Sequence, residues 1–118
     1  MKVATTRFPY EGLGRCEAVM SDGIVYAVAT DPQGSDGILA QTQNALDELN
    51  RILEKAGSGR VGLLQATVYL SDVKQKPEMD TIWIDWIGPE ENWPQRACIG
   101  VDLDEGCLIE IVVTAKVI

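Results

Sequence analysis

Residues 93–117, WPQRACIGVDLDEGCLIEIVVTAKV, set one arginine and one glutamate inside two strand-like runs joined by a turn. The second run, residues 108–117, is almost continuously apolar and β-branched, the composition of a strand covered on much of both faces. A period of two puts Glu110, Val112, Thr114 and Lys116 on one face and Ile109, Ile111, Val113, Ala115 and Val117 on the other. Only the second set is core-like. A carboxylate in mid-strand is costly unless it is paired or reaches water, so Glu110 is expected to meet a cation or to line a cleft. In the first run Arg96, Cys98, Gly100 and Asp102 alternate with Ala97, Ile99, Val101 and Leu103. This again sets a charged row against an apolar one. Asp104, Glu105 and Gly106 form the turn signal between the runs. Two readings fit the pattern: an edge-strand arginine in an ordinary ion pair, or an anion clamp beside an acid–base carboxylate. Spacing is compatible with both.

The remaining elements say what these runs pack against. Residues 3–6 read as a short first strand, and residues 7–14, with Pro9, Gly12 and Gly14, as an irregular loop. Residues 15–20 and 24–29 read as a hairpin around Ser21-Asp22-Gly23, followed by the loop TDPQGSDG. Residues 38–56 have helical spacing, with Leu39, Ala45, Leu46, Leu49, Ile52, Leu53 and Ala56 on the apolar flank. Ser35 or Asp36 is the expected cap, and Gly57 suits the position just past the end. Residues 63–70 alternate as a strand, Leu64, Ala66, Val68 and Leu70 against Gln65, Thr67 and Tyr69. Residues 77–87 form a second helix whose stripe of Met79, Ile82, Trp83 and Trp86 reads first as core. Residues 88–94, GPEENWP, form a rigid loop. This order predicts an α+β sandwich, a mainly antiparallel sheet with two helices packed on one face. The uncovered face is expected to carry Glu110, Thr114, Thr67, Tyr69 and Arg96 together with apolar groups. A face of that kind calls for a partner subunit.

Length and charge bound the function. At 118 residues the chain fits one domain, 1–118, able to bury a core without a metal or disulfide staple. A net charge of -8 disfavours nucleic acid, which needs a positive footprint. No apolar run is long enough to span a membrane, and residues 1–10 do not read as a signal peptide. The 3 cysteines, Cys16, Cys98 and Cys107, lack metal-ligand spacing and read as reduced thiols of a cytoplasmic protein. The absence of histidine excludes a histidine triad and a zinc-deaminase site. With no glycine-rich phosphate loop either, neither metal nor cofactor is expected.

GIVYAV, QTQNALDELNRILEKAG, QATVYLSDV and, above all, PQRACIGV followed by LIEIVVTA carry a resemblance. Over nearly its whole length the chain resembles the RidA/YjgF family, also called UK114 or L-PSP, of small enamine/imine deaminases. The resemblance implies a chorismate-mutase-like fold and a homotrimer with its sheets packed inward. It also implies three ligand sites in the clefts between subunits. The implied reaction is hydrolysis of a reactive enamine or imine, such as 2-aminoacrylate, to a 2-keto acid and ammonium. Arg96 takes the position that binds the substrate carboxylate, and Glu110 the position associated with water or ligand orientation. Cys98 matches a site residue that is Cys or Thr in relatives. Departures mark a divergent member. Arg15 replaces a site tyrosine, Val28-Ala29-Thr30 replaces Ser-Gly-Gln, Asp80 replaces an asparagine, and Ala97 replaces a serine. The expected site is therefore Arg96 and Glu110 for catalysis, with Arg96, Cys98, Arg15 and Asp80 holding a small imino or keto acid. Cys98 is a poor candidate nucleophile, with no neighbouring histidine or lysine in sequence to activate it. The alternative is noncatalytic binding of a small carboxylate metabolite in the same cleft. The endoribonuclease role attached to the family name runs against the acidic composition.

Overall fold

The computed structural model describes residues 4–118. Eight main elements follow in order: β1 (Thr5–Pro9), β2 (Cys16–Ser21), β3 (Ile24–Ala29), α1 (Ile38–Lys55), β4 (Leu63–Leu70), α2 (Lys76–Ile87), β5 (Gln95–Gly100) and β6 (Ile109–Lys116). They form one sheet of order β1-β2-β3-β6-β4-β5 with both helices against one face. Only β4 and β5 are parallel, joined through α2; every other neighbouring pair is antiparallel. This is the α+β sandwich that the order of elements predicts.

β6 lies between β3 and β4 because it can be covered on its apolar row. Ile109, Ile111, Val113 and Ala115 are buried under the helices, beside Val25 and Ala27 of β3 and Ala66 and Val68 of β4. The helices supply Ala45, Leu46, Leu49 and Leu53 from α1, and Met79, Trp83 and Trp86 from α2. α1 ends in a Schellman motif, with the Ser58 N–H on Leu53 O at 2.8 Å and the Gly57 N–H on Glu54 O at 3.1 Å. Gly57 holds φ 83, the left-handed value that this stop requires.

Several local expectations change. The residues read as a loop from Arg7 begin inside β1, which runs to Pro9 and pairs with β2; Val3 lies outside the described residues. Neither Ser35 nor Asp36 caps α1. Gly37 occupies that position without a side-chain bond, and the Asp31 carboxylate instead collects the N–H groups of Gln33 and Ser35 at 2.7 and 2.8 Å. Leu39 is 48% exposed; the buried stripe runs Ile38, Gln41, Thr42, Ala45. Leu64 is exposed and Leu63 buried, because the β4–β6 register shifts between Leu63 and Gln65 and turns the alternation over.

The change that matters most is at β5. Arg96, read with Glu110 on the open face, lies on the helix side. Parallel pairing sets Arg96 beside Ala66 and Cys98 beside Val68, both in the buried row of β4. Ala97 and Ile99 instead join Thr67 and Tyr69 on the open face. The sheet edge makes room for the charge, since β5 is the last strand, with Asp80 and Trp83 of α2 and Val73 of the turn before it standing against it. Gly100 permits that close cover, as a Cβ there would stand 2.9 Å from Val73 Cβ.

Candidate functional site

Two clefts divide the expected site residues. The first lies at the β5 edge. It has a volume of 240 Å³ and is lined by Asp80, Trp83, Ile84, Ile87, Trp93, Pro94 and Arg96. The Arg96 guanidinium rests on the Trp83 ring, 5.2 Å from its centroid. Its Nη2 is 2.8 Å from Asp80 Oδ1, but the approach is off the line of a directed hydrogen bond, and that oxygen has no other partner. Asp80 Oδ2 takes a bond of 2.9 Å from Lys76 Nζ, one helical turn earlier on α2. Burial would push the Asp80 carboxyl up; the Lys76 hydrogen bond and the close positive charges of Lys76 and Arg96 outweigh it and hold the group below its ordinary value. Two cations thus share one carboxylate. Arg96 keeps a net positive edge in an otherwise apolar cleft.

Cys98 points to the same side, two residues along β5. Burial pushes its thiol up, against the opposing pull of Arg96 and Lys76. A thiol pushed in that direction is a weaker nucleophile, and Cys98 is not among the residues that line the cleft.

The second cleft holds Glu110 and Arg15. Its 530 Å³ are bounded by the β2–β3 side of the sheet, α1 and the segment between β5 and β6. Glu17, Glu48, Asp102, Asp104 and Glu110 supply carboxylates, and Arg15 and Arg51 the only guanidiniums in its lining. Arg51 is consumed locally: its Nη2 lies 2.8 Å from Glu17 Oε1, and its Nε contacts Glu48. Arg15 is exposed and stands over the Tyr10 ring at 5.1 Å from the centroid. Glu110 has no cation within ion-pair distance among the described residues. It sits opposite Tyr69 of β4, on the face away from the helices. Thr30, one of the expected departures, lines this cleft too. Burial pushes the nearby Cys107 thiol up as well, and its Sγ donates to Ile109 O at 3.3 Å.

Within one subunit the structure therefore brings Arg96, Asp80 and Cys98 together, and Arg15 with Glu110, but does not join the two sets. Several supporting residues escape sequence reading. Gln41 is 3% exposed. Its Nε2 donates to Ser35 O and Gly106 O, both at 2.8 Å, while its Oε1 accepts from Leu108 N at 2.9 Å. This one side chain ties the loop before α1 and the β5–β6 turn to the helix, fixing the mouth of the second cleft. Its signal is present in the sequence: a glutamine at a core position of the α1 stripe. Lys76 and Trp93 carry no comparable signal, since each reads as an ordinary surface or loop residue.

Among the described residues no cluster of carboxylates and thiols forms a metal site, and no helix is long and apolar enough to cross a membrane. The family model described as endoribonuclease L-PSP matches residues 16–117. A RutC family protein of Haemophilus ducreyi is 34% identical over 103 residues, 86% of this chain and 87% of that protein. The crystal structure of NMB1025, a YjgF-family protein of Neisseria meningitidis, superposes with a TM-score of 0.89 at 27% identity, covering 96% of this chain and 94% of that one. Rv2704 of Mycobacterium tuberculosis, from the YjgF/YER057c/UK114 family, has the same fold at 23% identity, TM-score 0.85, covering 97% of this chain and 100% of that one.

Proposed function

The chain belongs to the endoribonuclease L-PSP family, the RidA/YjgF group, and on that premise we propose that it hydrolyses reactive enamines and imines of small carboxylic acids. The observation that carries this is Arg96, a guanidinium seated on Trp83 and left with a free positive edge in an apolar cleft. Such a group is matched to a planar carboxylate. In an apolar setting the attraction is stronger than in water.

The reaction needs little more than positioning. The enamine tautomerises to the imine, which is protonated on nitrogen from solvent; water adds to the imine carbon and loses one proton to the base, and that proton is returned to the amine nitrogen of the product. The resulting carbinolamine then expels ammonia, leaving the 2-keto acid. Arg96 holds the carboxylate throughout. Glu110 aims the water and accepts its proton. Because Arg96 and Glu110 lie on opposite faces of one sheet, this reading takes them from adjacent subunits of a homotrimer. The open face favours such an assembly, since Tyr26, Ile99 and Val112 are exposed there. Cys98 takes no part in the chemistry on this reading. The free thiols of Cys16, Cys98 and Cys107 fit a cytoplasmic setting. RNA is not the substrate on this reading, because a net charge of -8 repels phosphates.

A second reading uses the same cleft for noncatalytic binding of a small carboxylate. The separation of Arg96 from Glu110 within the subunit favours it. One assay decides between them: ammonia release from imines generated in situ from several amino acids. Accelerated release by the purified protein, lost in Arg96→Ala, supports the deaminase. Carboxylate binding without acceleration leaves the binding module.

A further inference from the structure

From the bonds of one buried amide we infer that Gln41 is a positioning residue for Glu110. It holds the entry of β6 at a fixed distance from the loop before α1, and so sets where the Glu110 carboxylate stands in its cleft. This rests on the reading of Glu110 as the group that aims water, and goes beyond it to what places that group. The two walls of the cleft are remote in sequence. Thr30 and Pro32 stand on one side, and Asp102, Leu103, Asp104 and Cys107, leading to Glu110, on the other. Both walls up to β6 are loop, so neither is fixed by a ladder of its own. Both converge on the same side chain of α1.

Gln41 Nε2 donates to Ser35 O and to Gly106 O, and its Oε1 accepts from Leu108 N. Each end is then held from a second side. The Asp31 carboxylate takes the Ser35 N–H, and Asn44 Nδ2 donates to Ser35 Oγ at 3.0 Å. Leu108 O accepts from Ser71 N at 3.1 Å. Leu108 therefore enters β6 with both its N–H and its C=O tied, two residues before Glu110. The tie has an opposing force. Asp102, Asp104 and Glu110 crowd one wall, and none of them is in an ion pair among the described residues. Their mutual repulsion favours a wider turn. A neutral amide resists it without adding charge, since it supplies two donors and an acceptor at once. An ionised glutamate has no donor to give, and a methionine makes none of the three bonds and leaves their backbone groups unpaired.

The test is a double-mutant cycle on intact oligomers, with Gln41→Met and Glu110→Gln singly and together, read as imine turnover and as pyruvate affinity by calorimetry. Gln41→Met should lower turnover by about ten- to a hundred-fold, as for a catalytic group displaced by about 1 Å, while pyruvate affinity shifts by less than about three-fold. In the Glu110→Gln background the same substitution should cost about two-fold or less, because the group it places is already gone. Equal fold-losses in the two backgrounds overturn the inference, since Gln41 then serves only the fold. Undiminished turnover in Gln41→Met overturns it too, as does a loss of pyruvate affinity equal to the loss of turnover. Each of these leaves the deaminase reading standing. Where Gln41→Met does not assemble, Gln41→Asn, one methylene short of the same contacts, carries the same cycle with the same outcomes. Failure of both to assemble overturns the inference in favour of a purely structural Gln41. Wild-type protein that hydrolyses no imine overturns both readings.

Discussion

The two clefts differ in charge, in walls and in how fully their ions are occupied. At the β5 edge Lys76 and Arg96 share Asp80, and the surroundings are aromatic and aliphatic. Around Glu110 the carboxylates outnumber the guanidiniums, and Arg51 is already committed to Glu17 and Glu48. One cleft is suited to hold an anion, and the other to take a proton or accept a donor. Neither is suited to both tasks. A reaction that needs a carboxylate clamp and a water-directing base would draw on both, and with Arg96 and Glu110 on opposite faces of the sheet the proposed reaction needs two subunits.

The largest expected effect removes the anion side altogether. Arg96→Ala leaves the ligand carboxylate unpaired, a loss of roughly 2–5 kcal/mol for a well-desolvated ion pair. Keto-acid affinity should fall by at least about a hundred-fold, and imine hydrolysis should drop to the uncatalysed rate, with the oligomer unchanged by light scattering. Full activity in an intact Arg96→Ala oligomer would break the comparison. Removing the proton-accepting side should act differently. Glu110→Gln should lower turnover by about ten- to a thousand-fold while keto-acid affinity shifts by less than about three-fold. Equal losses in affinity and turnover would make Glu110 a second ligand anchor instead.

A smaller effect tests how the Arg96 charge is set. Asp80→Asn frees both cations, so carboxylate affinity should rise by roughly three- to ten-fold. Lys76→Met leaves Asp80 to Arg96 alone and should lower affinity by a similar factor. Calorimetry on the pair sharpens the comparison through the opposite signs. Two changes of the same sign would mean that the residues serve only the packing of α2. Acid stability gives the smallest signal. The Asp80 carboxyl is held below 3.8 in the folded chain. A depressed value stabilises the fold above the unfolded pKa, and that contribution fades as pH falls through the folded one. Thermal melts should therefore show wild type and Asp80→Asn separated by about 1 kcal/mol at neutral pH and converging below pH 3.8.

The sequence shows the fold more fully than the site. β6 was legible because its apolar row has an unbroken period of two, and α2 because Met79, Trp83 and Trp86 recur at helical spacing. Leu39 and Leu64 misled for local reasons: Gln41 takes the buried place on α1, and a register shift reverses the start of β4. Arg96 and Glu110 stood out as charges within strands, yet the face of Arg96 was not readable from its alternation. An apolar row of Ala97 and Ile99 looks like core until β4 is known to lie beside it in parallel, with Ala66 opposite Arg96. Facing is a property of the strand pair, and the pairing of β4 with β5 depends on the whole crossover through α2. Lys76 bonds Asp80 one helical turn on, and Trp93 bonds Gly88 and Glu90, but what these contacts serve is Arg96, which meets α2 only through the fold, so composition alone gives them no mark.

Mixed oligomers of two impaired variants test most directly whether the two clefts meet across subunits. Arg96→Ala and Glu110→Gln chains, unfolded together in equal amounts and refolded, should regain about one quarter of wild-type deaminase activity, since in a cyclic trimer one site in four combines an intact Arg96 with an intact Glu110 from its neighbour. The separately refolded variants, mixed without exchange, should show no more than the sum of their own residual rates. A mixed trimer of confirmed composition with no activity above its two parents would contradict the shared site.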